Sequence, residues 1–411
     1  ISVFDGIRNP ENQEIKYYYP TNDLITGPDI LFFWVARMII SGYEYRGEPP
    51  FKDVYLTGLV RDKKGRKMSK SLGNSPDPIN LIEKYGADGV RVGMLLCAPA
   101  GNDLPFDESL CEQGRNFSNK IWNAMRLVKG WDVNDKIESS SSSSSSSKIA
   151  LEWFENRLSK FLEDFDNSFN RYRLSEALMS VYRLFWDDFC SVFLEMIKPK
   201  DSNIDKLTYN KILDFFDILL KSLHPFMPFV TEEVWSLLKE REKDLIVSDW
   251  PVYGNCDNLI LSKMETCKKI ISETRNILSS KNLSHNKVTF LYSQENDFDE
   301  EYFSLISKLT KIEKIDSLKE ISPEYFLINV DKNQFYIKSE LSINKEEELV
   351  KIQKELDYLK GFLKSVENKL NNSNFINNAP ANVVEIENKK RIDTLDKIKI
   401  IKNQIDKIEG V

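Results

Sequence analysis

The sequence predicts an α/β region, then an α-helical bundle, a small α/β unit and a C-terminal antiparallel coiled-coil hairpin. Three observations lead to this prediction. Residues 1 to about 115 alternate short apolar strand-like runs with helical stretches. Residues from Gly114 to about Trp250 place apolar side chains three and four positions apart. Residues 349–370 carry a strict three-four apolar alternation, which is typical of a coiled-coil seam.

Length and composition indicate a soluble protein of several domains. A chain of 411 residues has room for about two to four domains, and 41% hydrophobic residues are enough to build buried cores. No stretch approaches about eighteen uninterrupted apolar residues and no signal pattern opens the chain, so we predict a cytoplasmic protein without a membrane partner. Five widely spaced cysteines without a C-x-x-C pair argue against disulfides and structural zinc. The net charge of -7 decides little, because nucleic-acid binding depends on local patches.

The first region contains a helix, a strand and a second helix in that order. Thr26–Tyr43 is predicted to be a buried helix entered through Gly27-Pro28. Asp53–Val60 is predicted to be a buried parallel strand. Asp77 is the expected N-cap of the following helix, with a proline at its first position, and Gly86 is expected to interrupt the helices that follow.

A basic loop separates the predicted strand from the capped helix. Arg61–Lys70 carries six cationic side chains, one carboxylate and a glycine. Such a loop at the carboxyl end of a strand suits phosphate chemistry, because Lys67 and Lys70 would offset the charge that develops on a leaving pyrophosphate. On composition alone, a solvated basic loop is the competing interpretation. No G-x-x-x-x-G-K-[ST] string occurs, so a P-loop has no support.

The helical region is interrupted by a serine tract. Helical periodicity is clear in Ile121–Val128, Leu174–Phe185 and Ile212–Leu223. Nine consecutive serines, Ser139–Ser147, cannot build a core and are predicted either to form a flexible linker or to stand in place of other, unidentified sequence. The histidines, His224 and His285, both lie beyond the midpoint, which excludes histidine-based catalysis in the first half.

The last third is predicted to contain a small α/β unit and a helical hairpin. Strand candidates are Lys287–Tyr292 and Phe326–Ile337. A second, looser apolar stripe begins near Pro380, which favours an antiparallel hairpin within the chain. Intermolecular pairing of the coiled coil is the alternative. The first helix of the hairpin would use this seam: Leu349, Ile352, Leu356, Leu359, Leu363, Val366 and Leu370.

Several strings together resemble one enzyme family. KMSKSLGN at residues 67–74 resembles the second signature of class I aminoacyl-tRNA synthetases, and TGPDILFFWVARM, YGADGVRVGML, GRNFSNKIWNAMR and HPFMPFVTEEVW extend the likeness along the chain. The combination is similar to the C-terminal part of bacterial valyl-tRNA synthetases. The resemblance implies that the α/β region is the second half of a Rossmann-like catalytic domain.

The resemblance also implies a division into domains. They would be residues 1–60, the C-terminal half of the catalytic domain; 61–113, the KMSKS loop and connecting helices; 114–258, the anticodon-binding bundle; 259–342, the α/β junction; and 343–411, a coiled-coil tRNA-binding arm.

Residues of the basic loop receive roles in ATP binding from the resemblance. Lys70 would contact the pyrophosphate portion of ATP and Lys67 would assist, so these two are the expected catalytic residues. The backbone at Met68 would approach the adenine. Gly58 and Ser69 would complete the ATP-binding set.

The amino-acid pocket is likewise implied by the resemblance. Asp29 would hold the polar end of valine or its adenylate, while Ile30 and Trp34 would line the side-chain pocket. Without the family match, their spacing favours ordinary helix core for Ile30 and Trp34.

The helix that opens the bundle is expected to contact RNA. Its amide, cationic and aromatic side chains suit unstacked bases, and Asn123 and Arg126 are carried over as tRNA-binding residues. The wider candidate set is Asn116, Asn119, Lys120 and Trp122, of which Trp122 is more typical of core. His224 is expected to start a helix or to serve packing.

The implied function is valine--tRNA ligation, with ATP and ATP-bound Mg²⁺ as cofactors, no protein-held metal, and tRNA(Val) and valine as partners of a monomer. A His-x-Gly-His signature and an editing domain are missing, so this chain alone is not expected to form valyl-adenylate. Isoleucine--tRNA ligase is one alternative, although that family typically ends in a cysteine-rich zinc module. A non-catalytic tRNA-binding protein derived from a synthetase is the other.

Overall fold

The computed structural model describes residues 9, 11–97, 103–134, 142–199, 201–252, 254–293, 296, 298–339, 345–371, 384, 387–392, 394–395 and 398. The chain divides into two units, residues 1–264 and 265–411. Among the described helices, none is both long and apolar enough to span a bilayer.

The first unit opens with a parallel pair of strands joined by a helical crossover. After α1 (Gln13–Tyr18), strand β1 (Thr21–Thr26) pairs with β2 (Phe51–Leu56) from Thr21 opposite Phe51 to Thr26 opposite Leu56. The crossover is a 3₁₀ turn at Pro28–Ile30, a π-helical segment at Leu31–Val35 and α2 (Ala36–Arg46). A parallel pair requires such a crossover, because the chain must return to the starting end of the sheet before the second strand begins, and a short turn is not long enough for this.

Two expectations for this part were wrong. The predicted helix at Thr26–Tyr43 exists, but Phe32, Phe33 and much of its remaining apolar surface are exposed, while Val35 packs inward. The predicted strand at Asp53–Val60 ends at Leu56, and its middle is exposed. The reason is that a two-stranded sheet has little surface with which to cover either face.

In the connection from the strands to the bundle, the predicted helix cap at Asp77 and the predicted break at Gly86 are confirmed. Strand β3 (Val60–Arg61) pairs in parallel with β4 (Leu104–Pro105). Asp77 caps α3 (Pro78–Tyr85) by accepting the Ile79 amide. Gly86, at φ +77°, separates α3 from α4 (Ala87–Leu96), because this left-handed conformation is open to glycine at little cost.

The helical bundle follows as predicted. Its elements are α5 (Glu108–Lys129), β5 (Asp132–Asn134), α6 (Ser142–Asn170), α7 (Leu174–Arg183), a π-helical segment (Leu184–Phe193), α8 (Leu194–Ile197), β6 (Asn203–Asp205), α9 (Lys206–Leu223) and α10 (Pro228–Leu238). Strands β5 and β6 pair in parallel. A dense aromatic core, including Phe154, Phe189, Phe193 and Phe216, holds the helices together.

The serine tract differs from the prediction. From Ser142 onward its residues belong to α6, and the Ser146 side chain is buried. The first serines, Ser139–Ser141, lie outside the described residues. Serine has only a modest intrinsic cost in a helix, so packing of the following apolar turns can extend the helix into the tract.

The second unit is built on a four-stranded sheet. After α11 (Asn258–Ser280), which spans the division between the units, come β7 (Val288–Tyr292), α12 (Phe303–Thr310), β8 (Lys314–Ser317), β9 (Phe326–Val330) and β10 (Asn333–Ser339), in the order β8-β7-β10-β9. Strand β7 confirms the candidate at Lys287–Tyr292. The candidate at Phe326–Ile337 is instead two antiparallel strands, because Asp331 adopts φ +54° and turns the chain.

The predicted coiled-coil seam lies on α13 (Lys345–Leu370). Leu356, Val366 and Leu370 are buried, and Leu359 and Leu363 pack beside Leu356 together with Ile398. The side chains of Leu349 and Ile352, and most of the second apolar stripe, lie outside the described residues.

Candidate functional site

The candidate site lies where β1 and β2 end. Asp29 follows β1, Gly58 follows β2, and the Thr57 amide donates to the Thr26 carbonyl over 2.8 Å. The carboxyl ends of parallel strands are where α/β sheets bind ligands. The structure therefore brings two predicted site residues, Asp29 and Gly58, to one edge.

The basic loop folds back on itself. Lys67 pairs with Arg61 in an antiparallel bridge, and the Met68 amide donates to the Val60 carbonyl over 3.1 Å. Gly65, at φ +75°, closes the turn and donates its amide to the Asp62 carbonyl over 2.8 Å. The loop is thus a small hairpin whose turn carries Lys63 and Lys64, while Lys67 lies on its returning strand.

The Met68 side chain anchors this hairpin. It packs against a buried cluster formed by Leu81, Tyr85, Phe106 and Cys111. Because its amide already donates to Val60, that amide is engaged within the hairpin here. The predicted approach of the Met68 backbone to adenine remains a prediction.

Asp62 organises the hairpin from within. Its carboxylate accepts the amides of Lys64 and Arg66, each over 2.9 Å, as well as Arg66 Nε over 2.9 Å and Asn74 Nδ2 over 3.1 Å. These donors, with the Asn74 amide contributing most, hold the pKa of Asp62 well below its usual range. Asp62 is therefore a permanent carboxylate rather than an acid–base group.

An ion pair connects the loop to the strand edge. Lys67 Nζ donates to Asp29 Oδ2 over 3.1 Å, across 38 positions of sequence. The two side chains are 57% and 46% exposed, so the pair is worth at most about 1 kcal/mol and can be exchanged for a ligand. Two residues assigned separately to ATP and to the amino acid thus meet in space.

The remaining loop residues are placed as follows. The Ser69 hydroxyl lies 3.1 Å from the Ser71 hydroxyl and accepts the Leu72 amide over 3.2 Å. Lys70 begins a short 3₁₀ turn, Lys70–Leu72, but its side chain lies outside the described part of the structure. Its assignment to pyrophosphate stays a prediction.

Ile30 and Trp34 are not core residues. The two residues are 40% and 43% exposed, so the helix-core interpretation is wrong for both. Trp34 borders a shallow depression that is also lined by Tyr19, Arg37, Met38, Ser41, Gly42 and Pro50. The π-helical segment between Ile30 and α2 widens the turn on which Trp34 stands, a feature frequent at functional sites.

A polar stripe runs along α5. Asn116, Asn119, Asn123 and Arg126 are all exposed, and their three-four spacing places them on one face. Trp122 is half-buried. The two residues assigned to tRNA are therefore neighbours on an accessible surface.

His224 lies at the end of α9, not at a helix start. Its Nδ1 is 2.7 Å from the Thr231 hydroxyl, which in turn donates to the Met227 carbonyl over 2.7 Å. Burial lowers the pKa of His224. The expected packing role agrees with these contacts.

Sequence reasoning missed Asp62, Asn74 and Asp103. Asp103, which directly precedes β4, accepts hydrogen bonds from both the Arg61 guanidinium and the Leu59 amide. It therefore joins the start of β4 to the base of the loop. An aspartate three positions before a glycine is a turn signal that could have revealed Asp62. Within the described residues, no cluster of three acidic, histidine or cysteine side chains has the arrangement of a metal site.

Comparisons with known proteins match three parts of the chain to families of tRNA synthetases. Residues 2–107 match the model for tRNA synthetases class I (I, L, M and V), residues 152–293 the anticodon-binding domain of tRNA ligase, and residues 344–409 the valyl tRNA synthetase tRNA binding arm. The chain belongs to the valyl-tRNA synthetase family.

Curated members of this family match almost the whole chain. Valine--tRNA ligase of Parabacteroides distasonis is 53% identical over 98% of this chain and 46% of its own length. The enzyme of the same name from Christiangramia forsetii is 51% identical over the same shares. That of Enterococcus faecalis is 36% identical over 99% of this chain and 48% of its length. The chain spans about half the length of the valyl-tRNA synthetase relatives it matches.

A solved structure shows a weaker likeness. The LeuRS–tRNA–LeuAMS ternary complex of Agrobacterium radiobacter K84 has a TM-score of 0.43 and 17% identity over 75% of this chain and 36% of that one. A likeness of this size carries no argument about the site.

Proposed function

We propose that this chain supplies the ATP-contacting loop, the anticodon-binding bundle and the tRNA arm of a valine--tRNA ligase. The ligase activates valine with ATP and transfers it to tRNA(Val). The observation that carries the proposal is the 3.1 Å contact between Lys67 and Asp29, which joins the KMSKS loop to the strand edge where the amino acid is assigned. The curated relatives named valine--tRNA ligase support the choice of valine.

The proposed chemistry needs positive charge near the leaving group. A carboxylate oxygen of valine attacks the α-phosphorus of ATP, the bond to the bridging oxygen breaks, and that oxygen leaves with pyrophosphate. Lys67 and Lys70 offset the charge that moves onto pyrophosphate. Mg²⁺ arrives with ATP and neutralises phosphate charge as part of the substrate.

The remaining ATP-binding residues lie around these lysines in sequence and at the strand edge. Gly58 lets the nucleotide approach the backbone where β2 ends. Met68 and Ser69 border the nucleotide, with the hairpin setting their backbone. This assignment rests on the family match together with the hairpin geometry.

Valine would take the place of Lys67 beside Asp29. Its ammonium is a cation that suits the Asp29 carboxylate, and the exposed ion pair is weak enough to be replaced. Ile30 and Trp34 would then line the side-chain pocket. Release from Asp29 frees Lys67 to turn toward the phosphates, so binding of valine would prepare the loop for ATP.

The tRNA would be held at two places. On α5, the exposed stripe that includes Asn123 and Arg126 offers amide and guanidinium donors to splayed-out bases. At the C-terminus we propose an antiparallel helical hairpin as the tRNA arm. Its support is the contact cluster that includes Leu356 and Ile398, together with Lys369 Nζ lying 4.0 Å from Glu387 Oε2.

The larger architecture is proposed on the same grounds. The parallel strands and the KMSKS loop would belong to the second half of a Rossmann-like catalytic domain. The protein would act as a cytoplasmic monomer in protein biosynthesis.

The test is valine-dependent ATP–pyrophosphate exchange by the full-length protein. Replacing both lysines (Lys67→Ala with Lys70→Ala) should lower kcat by roughly 10²–10³-fold, which is the cost of removing preorganised charge. Lys64→Ala, an exposed lysine in the same loop, is the matched control and should retain activity.

Three results would contradict the proposal. Exchange that depends on isoleucine and not valine would assign the protein to the isoleucine branch. Absence of exchange with either amino acid, combined with tRNA binding, would indicate a non-catalytic RNA-binding protein. Normal exchange by the double variant would remove the role given to the loop.

A further inference from the structure

We propose that Asn74, acting together with Asp62, is a positioning residue that fixes the backbone carrying Lys67. The inference rests on the proposed function, since its purpose is to aim Lys67 at the leaving pyrophosphate. Neither residue is placed among the groups that touch substrate.

Asn74 bridges three parts of the loop. Its Oδ1 accepts the Ser69 amide over 2.9 Å, and its Nδ2 donates to the Lys67 carbonyl over 3.3 Å and to Asp62 Oδ2 over 3.1 Å. The first two contacts lie on either side of Met68, so one side chain holds the backbone directly before and after it.

Gly73 brings Asn74 back onto the loop. It has φ +63°, and a Cβ built there would meet no heavy atom within 4 Å. Glycine is therefore suited to this position by backbone conformation rather than by lack of space. The reversal at Gly73 places Asn74 against residues that precede it by five to twelve positions.

Asp62 is the fixed end of the bridge. Its side chain is only 12% exposed, whereas that of Lys67 is 57% exposed. The carboxylate at the centre of the hydrogen-bonded network is thus largely protected from solvent, whereas the Lys67 side chain, on the returning strand of the hairpin, is exposed. A rigid backbone beneath an exposed side chain is what aiming a lysine requires.

The bridge needs an amide at position 74. A carboxylate could accept from Ser69 but could not donate to Asp62 or to the Lys67 carbonyl, and it would place two negative charges together. Alanine would supply no hydrogen bond. Asn74→Ala and Asn74→Asp should therefore both disturb the loop, for different reasons.

The experiment joins kinetics to amide exchange in the full-length protein. Asn74→Ala should lower kcat for valine-dependent ATP–pyrophosphate exchange by about 10- to 100-fold per titrated active site, because small misplacement of a reacting group is costly. The KM for valine should stay within about twofold, since Asp29 is untouched. Hydrogen exchange should show lost protection of the Ser69 amide. Asn80→Ala, an exposed asparagine on α3, is the matched control.

A paired exchange of residues separates positioning from general damage. Combining Asp62→Asn with Asn74→Asp restores one amide and one carboxylate facing each other. If the two residues acted independently, the fold loss in kcat of the double variant would equal the product of the losses in the two single variants. We expect the measured loss to be smaller than that product by about threefold or more, the coupling expected for residues in contact. Full additivity would overturn the proposal.

Failure of the inference can be told from failure of the proposed function. If the unmodified protein exchanges pyrophosphate and Asn74→Ala does so equally well, the inference is wrong and the function stands. If the unmodified protein is inactive, the proposed function fails, and hydrogen exchange of the Ser69 amide then tests the Asn74 contacts separately. Lost protection of this amide in Asn74→Ala supports the positioning role of Asn74, and unchanged protection overturns it.

Discussion

At the scale of single residues, Asp88 shows how one carboxylate ties two elements together. The residue, on α4, is 6% exposed, and its carboxylate accepts the amides of Phe229 and Val230, over 3.3 and 2.7 Å, at the start of α10. Burial raises the pKa of Asp88, which shows that desolvation outweighs the two hydrogen bonds. The first amides of a helix have no partner within the helix, so Asp88 supplies one for these two.

Loss of this carboxylate should destabilise the first unit. We predict that Asp88→Ala lowers the free energy of unfolding by about 1–3 kcal/mol, the cost of leaving two partly buried donors without this partner. Urea denaturation followed by tryptophan fluorescence measures this change. Glu83→Ala, at an exposed position on α3, should change it by less than about 0.5 kcal/mol. Equal effects of the two substitutions would remove Asp88 from this role.

His224 should make part of the stability depend on pH. Its pKa is lowered by burial and by Arg91, with Glu232 and Asp88 acting in the opposite direction. Because the folded pKa lies below the unfolded value of 6.5, the unfolded chain binds more protons between the two. Stability should therefore fall as the pH drops from about 6.5 toward the folded pKa.

The difference between two proteins isolates this contribution. Between pH 7.5 and 5.5, the unmodified protein should lose more free energy of unfolding than His224→Gln, because all other titrating groups are shared. Urea denaturation at both pH values measures the difference. An identical loss in the two proteins would show that His224 titrates normally when folded.

At the scale of elements, glycines allow α4 and α5 to cross closely. A Cβ at Gly114 would lie 2.7 Å from the Gly89 carbonyl oxygen, and one at Gly93 would lie 2.5 Å from Cys111 Sγ. Both helices can approach at this distance only because these positions lack side chains. The contact connects the helices after the KMSKS loop to the first helix of the bundle.

Filling the crossing should separate the helices. Gly114→Ala is predicted to cost about 1–3 kcal/mol of stability through overpacking, despite the better helix propensity of alanine. Gly361→Ala makes the same change on α13, where nothing lies within 4 Å, and should stabilise that helix by about 0.5–1 kcal/mol. Circular dichroism during thermal unfolding measures both. Stabilisation by Gly114→Ala would show that α4 and α5 have room to spare.

Elements with strong local signals could be predicted from the sequence. The cap at Asp77, the break at Gly86 and the helices of the bundle follow from residue chemistry and periodicity. The turn at Asp331 could not be predicted, because a positive φ at an aspartate depends on the strands that flank it. The sequence predicted a buried helix around Phe32, whereas the residue is exposed in the structure. Periodicity indicates that a helix has an apolar face, but it does not show whether another element packs against that face.

The candidate site could also be predicted only in part. Motifs placed Lys67 and Asp29 in it separately, and the tertiary fold brings them within 3.1 Å. Asn74 and Asp62 lie twelve positions apart in the sequence and are joined by a hydrogen bond between their side chains. No periodic sequence pattern predicts such a contact. Short motifs therefore indicate which residues matter, and only the fold shows how they support one another.

At the scale of the whole molecule, each unit has its own core. The first unit is centred on the aromatic cluster of the bundle, where the rings of Phe154 and Phe193 stack at 4.7 Å. The second is centred on its sheet, where the rings of Phe290 and Phe335 stack at 5.4 Å. All seven tryptophans, from Trp34 to Trp250, belong to the first unit by sequence.

This distribution makes the independence of the units measurable. Tryptophan fluorescence should report unfolding of the first unit alone, while far-ultraviolet circular dichroism reports helices of both. Because each core is built from its own residues, we expect urea to unfold the units in separate transitions, and the two probes to give different midpoints. A destabilising substitution in the second core, Phe335→Ala, should shift the circular dichroism curve and leave the fluorescence midpoint unchanged, at a cost of about 3–5 kcal/mol to that unit. Coincident curves that shift together would show that the two units unfold as one cooperative body.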